Sequence, residues 1–158
     1  MSEVYLALYA PSSVQKLTDF LKTVYAVPGV VPVVIRPFGA AAQVGVPEAH
    51  RISYKLNKPL IILPEIGDLA NIIGCNCLYY LLDEGEEVDV QRLLGESACR
   101  KTALILCSGE HEPGAKELSG VKAVWIAGVP RGIPPIGLAG ILIYKINDLK
   151  SKCGKSAL

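Results

Sequence analysis

No run of this chain is apolar over the roughly 18 to 20 residues that a membrane-spanning helix requires. Its first residues show no basic region followed by an apolar stretch, the mark of a secretory leader, so the expected location is the cytoplasm. Surplus charge is missing too: the formal net charge is +1, and a polyanionic partner would have to be met by local clusters. Cysteines occur at 75, 77, 99, 107 and 153, an odd number. Cys75-Asn76-Cys77 lacks the two-residue gap of zinc and redox pairs. These absences predict a reduced, metal-free chain without a disulfide framework, with Cys107 an inert buried thiol. No Gly-x-Gly-x-x-Gly turn follows the first apolar run, which argues against a dinucleotide-binding domain. There is neither an internal repeat nor a linker.

What is present is apolar and short-ranged. The 158 residues are 51% hydrophobic and 20% charged, enough for one domain with its own core and too apolar for disorder. β-branched and alternating runs predict strands at 3–9, 30–35, 60–63, 78–82, 103–107 and 121–126. Between them, helical spacing of Val14, Leu17, Phe20, Leu21 and Val24 marks a first helix, capped from the Pro11-Ser12-Ser13 turn. A second opens at Pro47 and closes before Pro59. Short helices are expected at 64–73, 90–94 and 113–118. Residues 38–45 read as a small-residue loop and 83–87 as an acidic, solvated turn. Strands without a polar face, alternating with helices, predict an α/β fold with a parallel sheet flanked by helices. Residues 1–148 form the expected domain. Residues 149–158, with Lys150, Lys152 and Lys155, read as a basic, flexible tail.

The last third is the most informative. Gly128-Val-Pro-Arg-Gly-Ile-Pro-Pro-Ile-Gly137 cannot be helix or interior strand, because Gly costs backbone entropy and Pro lacks an N–H. Yet it joins two strongly apolar segments, a good place to hold a flat ligand against backbone amides. After it, Ile136, Leu138, Ala139, Ile141, Leu142, Ile143 and Tyr144 would cover every side of a helix, which calls for a second chain. A strand is the alternative for 141–144; the Pro134-Pro135 start favours helix.

Leu104-Ile-Leu-Cys-Ser-Gly-Glu-His-Glu-Pro-Gly-Ala-Lys-Glu-Leu118 resembles the second motif of the SPOUT (α/β trefoil-knot) methyltransferases. Val124-Trp-Ile-Ala-Gly-Val-Pro-Arg-Gly132, leading to Leu138-Ala-Gly-Ile-Leu-Ile-Tyr144, resembles their third motif, in the same order and spacing. The resemblance covers the last third by motif and the first hundred residues by topology only. It implies a C-terminal trefoil knot whose bends bind S-adenosylmethionine, a homodimer with its site at the subunit interface, and methylation of RNA, with tRNA or rRNA and the ribose 2′-hydroxyl favoured. By position, Cys107, Ser108 and Gly109 would line one side of the cofactor, and Ile126, Ala127, Gly128, Val129, Gly132 and Ile133 the other, with Leu138 below the adenine. The ribose-methylating branch carries Ser-Leu-Asn where this chain has Ile133-Pro134-Pro135-Ile136, and its Arg-containing first motif has no clear counterpart. A knotted, non-catalytic dimer that binds S-adenosylmethionine or RNA is therefore the alternative.

A weakly acidic hydroxyl needs a basic or cationic neighbour. Arg36, after the second strand, Arg131, within the Gly-rich loop, and His50, in the second helix, are the candidates in that order. Arg131 reads equally as a solvated loop charge, and His50 more readily as a partly exposed helical histidine. Gln43 could reach a ligand from its loop. Glu110-His111-Glu112 reads as an acidic turn, since adjacent positions rarely converge on one metal ion.

Overall fold

Parallel pairing organises the molecule, a computed structural model that describes residues 2–156, the side chains of 154–156 excepted. Strands β1 (Glu3–Tyr9), β2 (Val30–Ile35), β3 (Ile61–Leu63), β4 (Cys77–Val88), β5 (Lys101–Cys107) and β6 (Lys122–Ile126) form one sheet in the order β3-β2-β1-β5-β4-β6. Every pairing is parallel. Helices α1 (Val14–Val24), α2 (Val46–Leu56), α3 (Val90–Gly95) and α4 (Pro135–Ser156) complete the α/β fold expected from the sequence.

Alternation along β1 divides the core. Val4, Leu6 and Leu8 face one side, with Phe20, Val24, Leu138, Leu142 and Ile146 of α1 and α4. Tyr5, Ala7 and Tyr9 face the other, with Ile66, Leu69, Tyr80 and Ile105. Side chains two apart share a face, so a strand buried on both faces needs an unbroken apolar run. Ser13 caps α1 by accepting the Lys16 N–H at 3.2 Å, and Asp89 caps α3 through the Gln91 N–H at 2.8 Å.

Several local expectations are corrected. Residues 38–45 are not an open loop: a π-helical turn, Ala41–Gly45, runs straight into α2. Alanines are good helix formers, and a Cβ at Gly45 would stand 2.9 Å from the Leu17 side chain, so the glycine serves packing rather than a bend. Residues 64–73 yield only a π-helical turn, Leu69–Ile73. Residues 113–118 form turns without a helix, too short to repay the cost of helix nucleation. The acidic stretch lies inside β4 as a bulge, with Leu81 and Glu86 both paired to Val124. Gly85 sits there because a Cβ would come within 2.6 Å of the Val124 backbone.

Cys77 and Cys99 form a disulfide, which overturns the expectation of wholly reduced thiols. Spacing along the chain hid it. The parallel pairing of β4 with β5 sets Cys77 opposite Thr102, three residues beyond Cys99, and brings the two cysteine Cα atoms to 5.6 Å. Cys75 is a free, buried thiol, Cys107 a free, half-buried one, and Cys153 is free of disulfides and exposed.

Helix α4 extends through Ser156, so residues 149–156 are helical rather than a detached tail. Its Leu138, Ala139, Leu142, Ile143 and Ile146 are buried within this chain. Tyr144 is 71% exposed. One protomer therefore covers more of α4 than its composition suggests. The Lys150 ammonium donates to the Pro28 carbonyl at 3.0 Å, and burial lowers its pKa. Lys152 pairs with Asp148; the Lys155 side chain lies outside the described residues. Among the described residues no helix is long and apolar enough to cross a membrane.

Candidate functional site

In a parallel sheet, ligands collect at the carboxyl ends of the strands where the order reverses. Here β2 lies on one side of β1 and β5 on the other, and loops from β1, β2, β4, β5 and β6 crowd that edge. Three hollows open there.

One, about 320 Å³, lies over β4, β5 and β6. Cys107, Gly109, Gly132, Ile133 and Leu138, all expected from the sequence, line it. So do Tyr80, Trp125, Pro134 and Pro135, and the carboxylate-bearing Asp83, Glu84 and Glu112. The β4 bulge brings Asp83 and Glu84 here, and spacing alone could not show that a run read as a solvated turn would fold onto the Gly-rich loop. Asp83 accepts the Gly132 N–H at 3.3 Å. The Trp125 indole donates to the Val129 carbonyl at 2.9 Å, and the Ala127 N–H reaches the Val88 carbonyl at 2.8 Å. Residues 127–134 are thus pinned at three points. Gly109 and Gly132 hold φ of +89° and +81°, where a side chain is strained.

The remaining expected cofactor residues lie elsewhere. Ile126 and Val129 are buried in the core, and Ala127 and Gly128 are exposed on the turn without bordering the cavity. Ser108 is buried, and its hydroxyl donates to the Ala10 carbonyl at 2.7 Å. That bond braces the ends of β1 and β5 beside Ala10, whose φ is +52°.

The smallest, about 220 Å³, is bordered by Ala10, Arg36, Phe38 and His111. Arg36 also borders a third hollow, of about 540 Å³, shared with Tyr9, Glu65, Lys116 and Glu117. Its guanidinium meets Glu117 at 2.6 Å, and the Tyr9 hydroxyl donates to the other Glu117 oxygen at 2.5 Å. Hydrogen bonding with Tyr9 and the Glu117 charge hold the arginine firmly protonated; burial raises the Tyr9 phenol. Arg36 itself has φ +53°, its N–H fixed by the Leu63 carbonyl at 2.8 Å. A non-glycine residue held there is a local strain of the kind that gathers at functional sites.

The three basic candidates do not converge. Arg131 is exposed next to Gly132 and does not border the 320 Å³ cavity. His50 is exposed on α2 and borders a separate depression with Tyr54, Asn57 and Lys58. Helix α2 runs away from the carboxyl edge, so a residue in its second turn faces elsewhere. Gln43 is exposed on the π-helical turn. Phe38, His111, Tyr9 and Glu117 gave no sequence signal, because only the fold brings them to Arg36.

Comparison with solved structures places the fold. AviRb of Streptomyces viridochromogenes, a SpoU methyltransferase in complex with the cofactor AdoMet, superposes with a TM-score of 0.69 at 13% identity, over 96% of this chain and 62% of that one. The A. aeolicus TrmH/SpoU tRNA modifying enzyme does so with 0.63 at 11%, over 98% and 78%. At such identities the likeness shows a shared fold, the SpoU-type α/β sheet. Sequence comparison gives a different label. A protein of Aeropyrum pernix with the provisional name type II restriction enzyme ApeKORF2002P is 32% identical over 146 residues, 90% of this chain and 91% of its own. Residues 39–145 match the family model described as RecB-family nuclease (DUF2122). With more than half its length inside that model, this chain belongs to the DUF2122 family.

Proposed function

We propose that the protein transfers a methyl group from S-adenosylmethionine to RNA, with tRNA or rRNA as the substrate class and the ribose hydroxyl as the favoured acceptor. One observation carries this reading: Cys107, Gly109, Gly132, Ile133 and Leu138, drawn from two motifs, line a single cavity at the carboxyl edge of the sheet. The SpoU-type fold supports it. Insertion of β5 between β1 and β4, followed by β6 outside β4, is compatible with the trefoil knot this reading requires.

The cavity's chemistry suits that cofactor. Leu106, Leu138, Ile133 and Trp125 offer apolar surface for a purine, and pinned glycine backbone offers amides without side chains in the way. Asp83, Glu84 and Glu112 make its rim acidic. Carboxylates favour a sulfonium and an amino group and repel a polyphosphate, which selects against nucleoside triphosphates. When bound, S-adenosylmethionine supplies an electrophilic methyl group. The protein's share is alignment, exclusion of water and help with the acceptor's proton. Arg36, held protonated between Glu117 and Tyr9, would stabilise negative charge developing on the acceptor oxygen. Arg131 would face backbone phosphate instead.

The family's description favours a second reading, a nuclease. Phosphodiester hydrolysis at a metal site needs carboxylates converging on one or two ions. Among the described residues no group of three or more His, Cys, Asp or Glu could hold a metal ion. The donor set does not fit such a site.

Calorimetry with S-adenosylmethionine tests the reading. Wild type should bind, and Gly132→Val, strained at φ +81° and intruding on the cavity, should not. Labelled methyl should then pass to RNA. Absence of binding heat in the wild type, or Mg²⁺-dependent cleavage of nucleic acid, would overturn the assignment.

A further inference from the structure

The geometry points to a stacking platform for one unstacked nucleobase, built from Phe38 and His111 beside Arg36. Phe38 is 41% exposed at the carboxyl edge of the sheet, where an apolar ring gains nothing from the core. Its ring lies 5.9 Å from that of His111, tilted by 59°, and both border the 220 Å³ hollow with Arg36 and Ala10. That volume falls below the roughly 300–1,000 Å³ typical of whole small-molecule sites, and suits one flat ring system.

The backbone beneath both rings is held in advance. The Phe38 N–H donates to the Pro11 carbonyl at 3.1 Å, and Pro37 stiffens the chain before it. The Cys107 thiol donates to the His111 carbonyl at 3.3 Å, tying that loop back to the end of β5. The chain carrying each ring therefore has little backbone freedom to lose when a ligand arrives. Arg36 supplies what a hydrocarbon pocket would not: a fixed planar cation, able to meet the phosphate or hydroxyl of the nucleotide whose base lies on the rings. A base in a duplex is already stacked and cannot reach such a pocket, so the platform reads single strands, loops and bulges.

The position couples this hollow to the cavity over β4, β5 and β6. His111 borders the small hollow and its neighbour Glu112 that cavity. A nucleotide with its base on Phe38 would lie across the 108–112 loop from the cofactor cavity. This inference rests on the nucleic-acid partner proposed above, and not on the identity of the reaction.

The test uses the full chain and an RNA octamer with 2-aminopurine at its centre, alone and annealed to its complement, with the DNA octamer of the same sequence as a further arm. Stacking should change 2-aminopurine fluorescence with the single strand and not with the duplex. Phe38→Ala, at an exposed position, should weaken single-strand binding by roughly 5- to 150-fold, the range for losing one base–aromatic stack. Phe38→Tyr should restore it, and His111→Ala should fall between. Titration with S-adenosylmethionine serves as an independent readout that Phe38→Ala should leave unmoved. Equal RNA affinity for wild type and Phe38→Ala, equal affinity for single strand and duplex, or no binding of any octamer would overturn the platform. Loss of cofactor heat with intact stacking would overturn the methyl-transfer reading alone.

Discussion

Arg36 and Glu117, 81 positions apart, meet at 2.6 Å across the carboxyl edge of the sheet. Glu117 carries the second bond from Tyr9, so one carboxylate fixes both the charge and the direction of the arginine. In the free protein that carboxylate occupies the guanidinium, and an incoming phosphate must compete with it.

Glu117→Gln should release the competition. Each additional phosphate contact steepens the salt dependence of nucleic-acid binding by about one unit of slope. The variant should bind single-stranded RNA more tightly at low salt and lose more affinity as salt rises. Arg36→Ala should flatten the slope and remove turnover. Titrations at 50 and 200 mM salt decide it; unchanged slopes would place Arg36 away from the phosphates.

The Cys77–Cys99 disulfide closes a segment of 22 residues. Loop-closure entropy for that length gives about 3 kcal/mol of stabilisation. Cys77→Ser, or reduction before heating, should lower Tm by roughly 6 to 12 °C in a domain of this size. Scans with and without reductant measure it, and the Cys77→Ser variant should show no further drop when reductant is added.

Alkaline pH should loosen the fold. Burial pushes the Cys75 thiol up to about 11, from an ordinary 9.0, and raises the Tyr80 phenol. Between about pH 9 and 11 the unfolded chain has lost the Cys75 proton while the native protein keeps it. The unfolded state then binds fewer protons, and stability falls as pH rises. Below pH 9 the contribution is fully present. Two units correspond to about 2 to 3 kcal/mol. Urea midpoints at pH 8 and 10.5 should show the fall, and Cys75→Ala should reduce it.

Self-association should depend on the outer face of α4. Tyr144 is exposed there, with half-buried Ile141 and Lys145 as neighbours. We expect a homodimer built on this face, with Tyr144→Glu shifting sedimentation from dimer to monomer at micromolar concentration while circular dichroism stays unchanged. A wild type that sediments as a monomer would remove the expectation.

The parallel sheet was legible because its strands are apolar on both faces, and α4 because Pro134-Pro135 opens it. Five of the expected cofactor residues reached the cavity, since the motifs at 104–118 and 124–144 are local and carry their own turns. What escaped depended on long-range pairing. Asp83 and Glu84 enter through the β4 bulge against β6, Cys77 finds Cys99 only through the β4–β5 register, and Phe38 finds His111 only when β1 separates β2 from β5. His50 lies apart for the opposite reason: its neighbours in sequence are helical and carry it off the carboxyl edge.

The place of β5 has a consequence for how the protein is made. Strand β1 pairs with β2 almost at once, but its other edge belongs to Lys101–Cys107. On the ribosome, about a hundred residues must be synthesised before that partner exists. Until then β1 offers a bare row of amides and carbonyls flanked by valine, leucine and tyrosine, the surface on which two nascent chains pair with each other. Closing it requires a distant strand to slot between β1 and β4, a step that contact order makes slow. Yield in a cell should therefore respond more strongly to translation rate and chaperone supply than equilibrium stability would suggest.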